Sequence, residues 1–180
     1  RYYAMYSTMD YSGGILSWRP VVGAESYEIQ VNDGDIISVS DGSAFAEITL
    51  TKAGSNTVSV RFVDGSMKSE WVNTEIFAYA VVFDSRGGSG AETQYKAYGD
   101  PIPLPTSEKK GYKFAGWYNS PDGADANGAE YAEEICEEAG DLYLYAYWTP
   151  ETYSAVYDSC GGNTVNPASD VVYGRDFVLE

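Results

Sequence analysis

Residues 142–148 read Leu-Tyr-Leu-Tyr-Ala-Tyr-Trp, and residues 110–118 read Lys-Gly-Tyr-Lys-Phe-Ala-Gly-Trp-Tyr. The first stretch alternates, so an extended strand places its two leucines, its alanine and Trp148 on one face. The opposite face carries three tyrosines: Tyr143, Tyr145 and Tyr147. The apolar face predicts a strand that packs on a core, and the tyrosine face is the candidate binding surface.

The second stretch supplies aromatic side chains that can cover the apolar face. Each buried ring removes about 150–250 Å² from water. Gly111 and Gly116 permit tight backbone geometry beside such large rings. The side chains that we expect to form the cores of the chain are Trp18, Phe83, Phe114, Trp117, Leu144 and Trp148.

Both stretches belong to an ordered series that fills residues 81–149. Val-Phe-Asp-Ser-Arg-Gly-Gly at 82–88 opens the series, and Tyr-Gly-Asp-Pro-Ile-Pro-Leu-Pro at 98–105 follows it. The series closely resembles the Listeria–Bacteroides repeat, the B-repeat of the internalin surface proteins. The resemblance implies a compact, β-grasp-like (α+β) module that is repeated in tandem on secreted or wall-attached bacterial proteins.

The opening of the series returns near the end of the chain. Residues 80–88 (AVVFDSRGG) match residues 154–162 (SAVYDSCGG), and after a one-residue shift Tyr98-Gly99 matches Tyr173-Gly174. We interpret residues 150–180 as the start of a second, truncated repeat, with the match covering 154–180.

The truncated repeat has no equivalent of the 110–118 stretch or of the final strand. We therefore expect its strands, Ala155–Tyr157 and Val171–Tyr173, to need a partner, because an isolated hairpin is marginal in water. Residues 1–7 resemble that final strand and are interpreted as the end of a preceding repeat. Since the chain begins at Arg1 and not at Met, we expect it to be a piece of a longer protein.

Residues 8–80 predict a β-sandwich. Short alternating runs such as Tyr27–Val31 and Val58–Phe62 are separated by turn signals. The pattern resembles a fibronectin type III-like (immunoglobulin-like) domain with Trp18 in its core. Asn56 replaces the usual tyrosine before the sixth strand, so we expect that corner hydrogen bond to be absent. The last sandwich strand runs into Val81 without a linker, which predicts a stiff joint.

Composition excludes several classes of function. The chain has 27 acidic and 11 basic residues, a formal charge of −16, and no histidine. An acidic surface repels nucleic acid and anionic membranes, and the lack of histidine removes Ser-His-Asp catalysis and His-ligated metal sites. No stretch is apolar for long enough to insert into a bilayer. Hydrophobic residues make up 44% of the chain, which predicts a folded protein.

An acidic loop partly fits a calcium site. Asp125, Asn127 and Glu134 fall at positions 3, 5 and 12 of an EF-hand-type loop, but position 1 falls on Gly123, and Asp122 is out of register. We interpret the loop as a turn and expect no cofactor or metal.

Further acidic residues predict a helix. Glutamates at 130, 133, 134, 137 and 138 indicate a short helix with a solvated face, and Glu108-Lys109-Lys110 a helical turn. Paired glutamates acting as acid and base in glycoside hydrolysis are a remote alternative. Cys136 and Cys160 are expected to be separate thiols, with a bridge between them as the alternative.

These features together predict a protein that is not an enzyme. We expect a modular segment of a bacterial cell-surface or secreted protein, outside the cell or associated with its wall, acting as a stiff spacer or display module. Its expected partners are adjoining repeats and an unidentified protein or glycan on a host or neighbouring cell. The three tyrosines are expected to pack against a neighbouring strand or repeat. If they instead stack on sugars, the alternative is a carbohydrate-binding or accessory module of a secreted polysaccharide-degrading protein.

Overall fold

The computed structural model describes residues 8–40, 42–122, 130–132, 135–137 and 139–177, and all regular structure in them is β. The strands are β1 (Asp10–Ser12), β2 (Ile15–Ser17), β3 (Ser26–Val31), β4 (Ile37–Val39), β5 (Phe45–Glu47), β6 (Gly54–Asp64), β7 (Met67–Lys68), β8 (Val72–Asp84), β9 (Gln94–Lys96), β10 (Tyr112–Tyr118), β11 (Leu142–Pro150), β12 (Thr152–Ala155) and β13 (Ala168–Val172). The expectation of a mainly β protein is confirmed.

Two compact units divide the chain, and their segments alternate along the sequence. The first unit comprises the chain up to Val82 together with residues 93–103 and 132–142. The second unit comprises residues 83–92, 104–131 and 143–180.

Two antiparallel sheets form the first unit. One has the strand order β1-β2-β5, and the other contains the order β8-β6-β3-β4. Side chains of β3 alternate between half-buried and buried, as a strand with one face on a core requires. The shared core draws on both sheets and on Ala97; its buried members are Leu16, Trp18, Tyr27, Ile29, Val31, Ile48, Leu50, Val58, Val60, Phe62, Ile76, Ala78 and Ala97.

The β8 strand is continuous across the position where the sandwich was expected to end. Its first part pairs with β6, from Val72 opposite Val60 to Ala78 opposite Gly54. Its next residues pair with β9, with Ala80 opposite Tyr95. One strand therefore serves both segments, as the lack of a linker in the sequence suggested.

Asn56, the third residue of β6, stands where a tyrosine was expected to be missing, and its own side chain supplies hydrogen bonds at this position. Its side chain is fully buried. The amide nitrogen donates to the Lys52 and Gly54 carbonyls at 2.9 and 3.1 Å, and the amide oxygen accepts the Thr51 N–H at 3.1 Å. Asn32 also donates to that oxygen at 2.7 Å. The short amide side chain thus satisfies the hydrogen-bonding groups of the nearby backbone, which a longer tyrosine side chain would reach from farther away.

In the second unit, β10 pairs antiparallel with β11. Phe114 lies opposite Trp148, and after a bulge Trp117 lies opposite Ala146. Gly116 lies in that bulge with φ 117°, a conformation that side-chain-bearing residues avoid. The C-terminal segment contributes the pair β12–β13, in which Tyr153 lies opposite Val171.

The expected β-grasp-like (α+β) character of the repeat is not borne out, and the predicted helical elements are wrong, because no described residue is helical. Ile135 instead forms a β-bridge with Pro101, and the Cys136 N–H donates to the Asp100 carbonyl at 2.8 Å. Lys109 forms a bridge with Tyr112. Tertiary pairing of these backbone groups overrides the helix propensity of the glutamates and lysines. Residues 133, 134 and 138 lie outside the described residues.

Candidate functional site

The alternation predicted for 142–148 is present in β11. Leu144 and Ala146 are fully buried, Leu142 and Trp148 are half-buried, and Tyr143 is 52% exposed. Tyr145 and Tyr147 are only half-buried, and the Tyr147 ring meets the Tyr118 ring of β10 edge-on, with 5.5 Å between centroids and 77° between planes. Of the three tyrosines, Tyr143 is therefore the most open, and a ring of the neighbouring strand β10 covers part of Tyr147.

An aromatic cluster fills the core of the second unit. The Trp117 ring lies 4.9 Å from Phe83 and 5.4 Å from Phe114, centroid to centroid. Phe114 in turn lies 5.4 Å from Trp148. Trp117 and Phe83 are buried, while Phe114 and Trp148 are half-buried. Trp18 is buried separately, in the core of the first unit.

The two Asp-Ser-x-Gly-Gly turns, at residues 84–88 and 158–162, have the same geometry. In turn 84–88 the carboxylate of the first residue accepts the N–H of the third at 2.9 Å, and the carbonyl of the second accepts the N–H of the fifth at 2.9 Å. In turn 158–162 the same two bonds measure 2.9 and 2.8 Å. The third residue has positive φ in both, 48° for Arg86 and 47° for Cys160.

Asp100 forms a buried acceptor site in the first unit. Asp100 is only 2% exposed. The carboxylate accepts the Tyr11 hydroxyl at 2.5 Å, the Gly14 N–H at 3.0 Å and the Ala97 N–H at 2.8 Å. Burial raises the pKa of the Tyr11 hydroxyl well above its usual range, and the hydrogen bond to Asp100 and its negative charge raise it further. The hydroxyl is therefore a fixed donor to the carboxylate.

Tyr173 packs on the complete repeat. Its ring lies 5.5 Å from that of Tyr112, and a Cβ at Gly111 would come within 2.3 Å of it. Backbone bonds continue the contact: the Glu151 N–H donates to the Gly111 carbonyl at 2.8 Å, and the Tyr173 N–H donates to the Glu151 carbonyl at 2.9 Å. The start of β10 is thus a packing partner of the C-terminal segment that holds β12 and β13.

Lys109 holds the opening turn of the repeat against β10. Its ammonium donates to the Arg86 carbonyl at 3.0 Å and lies 4.7 Å from the centre of the Tyr112 ring. An open groove of about 640 Å³ borders it, lined by residues 87–89, 107–110, 112 and 114. The ammonium group contacts a backbone carbonyl and an aromatic face, and both contacts stabilise the fold.

The metal candidates and the two cysteines are placed as follows in the described part of the chain. No group of three or more His, Cys, Asp or Glu side chains could hold a metal ion there. Of the calcium candidates, Asp122 is exposed, and Asp125, Asn127 and Glu134 lie outside the described residues. Cys136 is buried, Cys160 is exposed, and both are thiols.

Sequence reasoning missed Asp100 and the role of Lys109. The signal available for Asp100 was its place directly after Gly99, in a stretch where an acidic residue stands between apolar ones. Tyr11, whose hydroxyl donates to the Asp100 carboxylate, lies in a different part of the sequence. No local pattern connects the two residues.

Comparisons with known proteins identify the middle of the chain. Residues 79–147 match the family model of the Listeria-Bacteroides repeat domain. Over 98 residues the chain is 36% identical to a protein of Evansella cellulosilytica that bears the name of a Gly-rich membrane protein; the match covers 51% of this chain and 10% of that protein. Over 118 residues it is 30% identical to another protein of that bacterium, which is named as a membrane protein. This match covers 65% of this chain and 17% of that protein.

The chain therefore spans less than a fifth of the length of these relatives. The matched segment begins and ends two residues before the predicted 81–149. Among the described residues, none forms a helix of the length and hydropathy that a bilayer requires.

Proposed function

We propose that the chain is a non-catalytic segment of a bacterial cell-surface protein, in which a fibronectin type III-like sandwich and a Listeria–Bacteroides repeat form a stiff spacer that displays other domains outside the cell. The family match at 79–147 and the two relatives named as membrane proteins support a surface module. A repeat module of this kind contributes structure, and its partners are adjoining repeats and a protein or glycan on another cell.

The single observation that carries the proposal is the sharing of β8. A strand of 13 residues pairs with sandwich strand β6 over its first part and with β9, inside the matched repeat, over the next. The repeat also contributes Ala97 to the sandwich core, with Tyr95 packed against it. A junction made of paired strand and buried side chains resists bending far more than a Gly/Ser linker does.

The strand orders support the sandwich assignment. Three strands (β1-β2-β5) face four (β8-β6-β3-β4) around one core, and both sheets are antiparallel. Seven strands in two antiparallel sheets are typical of immunoglobulin-like and fibronectin type III-like domains. The shared geometry of turns 84–88 and 158–162 supports the assignment of the C-terminal segment to a second repeat.

Small-angle X-ray scattering of the full chain tests the stiffness. We expect one narrow distribution of sizes. Four Gly/Ser residues inserted between Ala78 and Tyr79, where the pairing of β8 passes from β6 to β9, should broaden it, because they interrupt the shared strand. The same insertion between Gly65 and Ser66, in an exposed turn, is the matched control and should leave it narrow. A native chain that fits only as freely hinged modules would contradict the proposal.

The exposed ring of Tyr143 favours a second candidate, glycan binding. Aromatic rings bind sugars through an open face. If this candidate holds, Tyr143→Ala should abolish retention on a polysaccharide matrix, whereas Tyr147→Ala, which removes a ring already packed on Tyr118, should not. Equal retention of both variants would count against it.

A further inference from the structure

The two repeats share a second turn, formed by Tyr98–Asp100 and by Tyr173–Arg175. In the first copy the Asp100 N–H donates to the Ala97 carbonyl at 3.0 Å, and in the second the Arg175 N–H donates to the Val172 carbonyl at 3.3 Å. The central glycine has positive φ in both, 85° and 72°. The backbone is thus conserved between the copies, while the third side chain changes from Asp to Arg.

In each copy this turn contacts the module that precedes its repeat along the chain. The first copy reaches the hairpin β1–β2 through Asp100, which accepts from the Tyr11 hydroxyl and the Gly14 N–H. The second copy reaches the start of β10 through Tyr173, whose ring packs on Gly111 and Tyr112. The contacting side chain is the third residue in one copy and the first in the other.

We propose that this turn, named here the docking turn, is the element by which each repeat recognises the module before it, and that its first and third side chains select the kind of module. This inference goes beyond a spacer role, because it makes the order of modules a property of the turn.

The first copy fits a partner hairpin that offers two hydrogen-bond donors. Asp100 is buried, and its charge is balanced by one hydroxyl and two backbone N–H groups. A partner without the Tyr11 hydroxyl and the Gly14 N–H would leave a buried carboxylate with unmet acceptors, which is costly. Tyr98 is 69% exposed and takes no part in this contact surface.

The second copy fits a partner strand that begins with glycine followed by an aromatic residue. Any side chain at position 111 would collide with the Tyr173 ring, since a Cβ there would lie 2.3 Å from it. Tyr112 then provides an edge-on ring at an interplanar angle of 78°. The sequence Gly-Tyr at 111–112 belongs to the stretch that marks the family match, so this docking turn is suited to follow another repeat.

Site-resolved amide hydrogen exchange on the full chain tests the proposal with two reciprocal variants. Asp100→Arg, which installs the residue of the second copy, should accelerate exchange of the Gly14 amide about tenfold or more and leave the Glu151 amide unchanged. Tyr173→Ala should accelerate exchange of the Glu151 amide and leave the Gly14 amide unchanged. Asp141→Asn is the matched control, because Asp141 also accepts a backbone N–H, that of Ala80 at 2.9 Å, away from both docking turns.

Two results would overturn the proposal. One is equal acceleration of the Gly14 and Glu151 amides by either variant. The other is exchange at both amides that is no faster in the two variants than in Asp141→Asn. If Asp100→Arg prevents folding, Tyr11→Phe replaces it in the test, because this change removes only the donor hydroxyl. That variant must still accelerate exchange at Gly14 and not at Glu151, and an unchanged Gly14 amide would refute the selection by Asp100.

Discussion

The indole N–H of Trp148 donates a hydrogen bond to the Ser85 carbonyl at 2.9 Å, linking residues 63 positions apart. The same ring covers Gly88 so closely that a Cβ there would lie 2.3 Å from it. The strand that ends the complete repeat therefore closes on the turn that begins it. Only glycine leaves room for this closure, which accounts for the second glycine of the Asp-Ser-x-Gly-Gly turn in the first copy.

Gly88→Ala should destabilise the complete repeat by about 1–3 kcal/mol, because the new methyl group overpacks the Trp148 ring. The equivalent change in the turn at residues 158–162, Gly162→Ala, is the matched control. A Cβ at Gly162 would meet only atoms of Ser159, at 3.1 and 3.9 Å. Urea unfolding of both variants measures the difference, and equal losses of stability would show that Trp148 does not need the glycine.

Trp117→Ala should lower the free energy of unfolding of the second unit by about 3–5 kcal/mol, since it removes the centre of the aromatic cluster. Trp117→Phe keeps a ring but loses the N–H bond to the Pro105 carbonyl, 2.7 Å long, and should cost about 1 kcal/mol beyond the change in packing. Amide exchange should show β10 unprotected in the alanine variant and β3 still protected. Loss of protection in both strands together would mean that the two units unfold as one.

Local alternation predicted the parts of the fold that depend on one strand and its immediate neighbours. Leu144 and Ala146 are buried and Tyr143 is exposed, as the period of two requires. The alternation does not reveal which strand lies alongside, so the partial cover of Tyr147 by Tyr118 could not be read from it.

Contacts between distant segments account for the elements that were missed. The glutamates at 130–138 have the composition of a helix, yet the described part of that segment pairs with Pro101 and Asp100. Asp100 is itself held by Tyr11, 89 positions earlier. Such pairings depend on where the chain returns in space, which neither propensity nor spacing encodes.

Asn56→Ala should lower the stability of the first unit by about 2–4 kcal/mol. The change leaves the N–H of Thr51 and the carbonyls of Lys52 and Gly54 without their side-chain partner. Asn73→Ala, on the exposed face of β8, is the matched control and should change stability by less than about 0.5 kcal/mol. Thermal unfolding followed by circular dichroism compares them, and equal midpoints would refute the corner role of Asn56.

Acid should weaken the first unit partly through Glu28. Its carboxylate accepts from Lys68 at 2.7 Å and from Arg61 at 2.6 Å. The Lys68 hydrogen bond, followed by that of Arg61, holds the pKa of Glu28 below its usual value of 4.5, although burial acts in the opposite direction. Because the folded-state pKa is the lower one, this stabilisation is present above about pH 4.5 and is lost as the pH falls further.

Glu28→Gln should therefore lower stability by about 0.5–1 kcal/mol at pH 7 and by progressively less below pH 4.5, as wild-type Glu28 becomes protonated. Urea unfolding between pH 7 and 3 gives this difference directly. Glu70→Gln, an exposed glutamate in the same unit, controls for the loss of one negative charge from an acidic protein. If the Glu28→Gln and wild-type curves stay parallel down to pH 3, the ion pair with Lys68 and Arg61 does not contribute to the pH dependence.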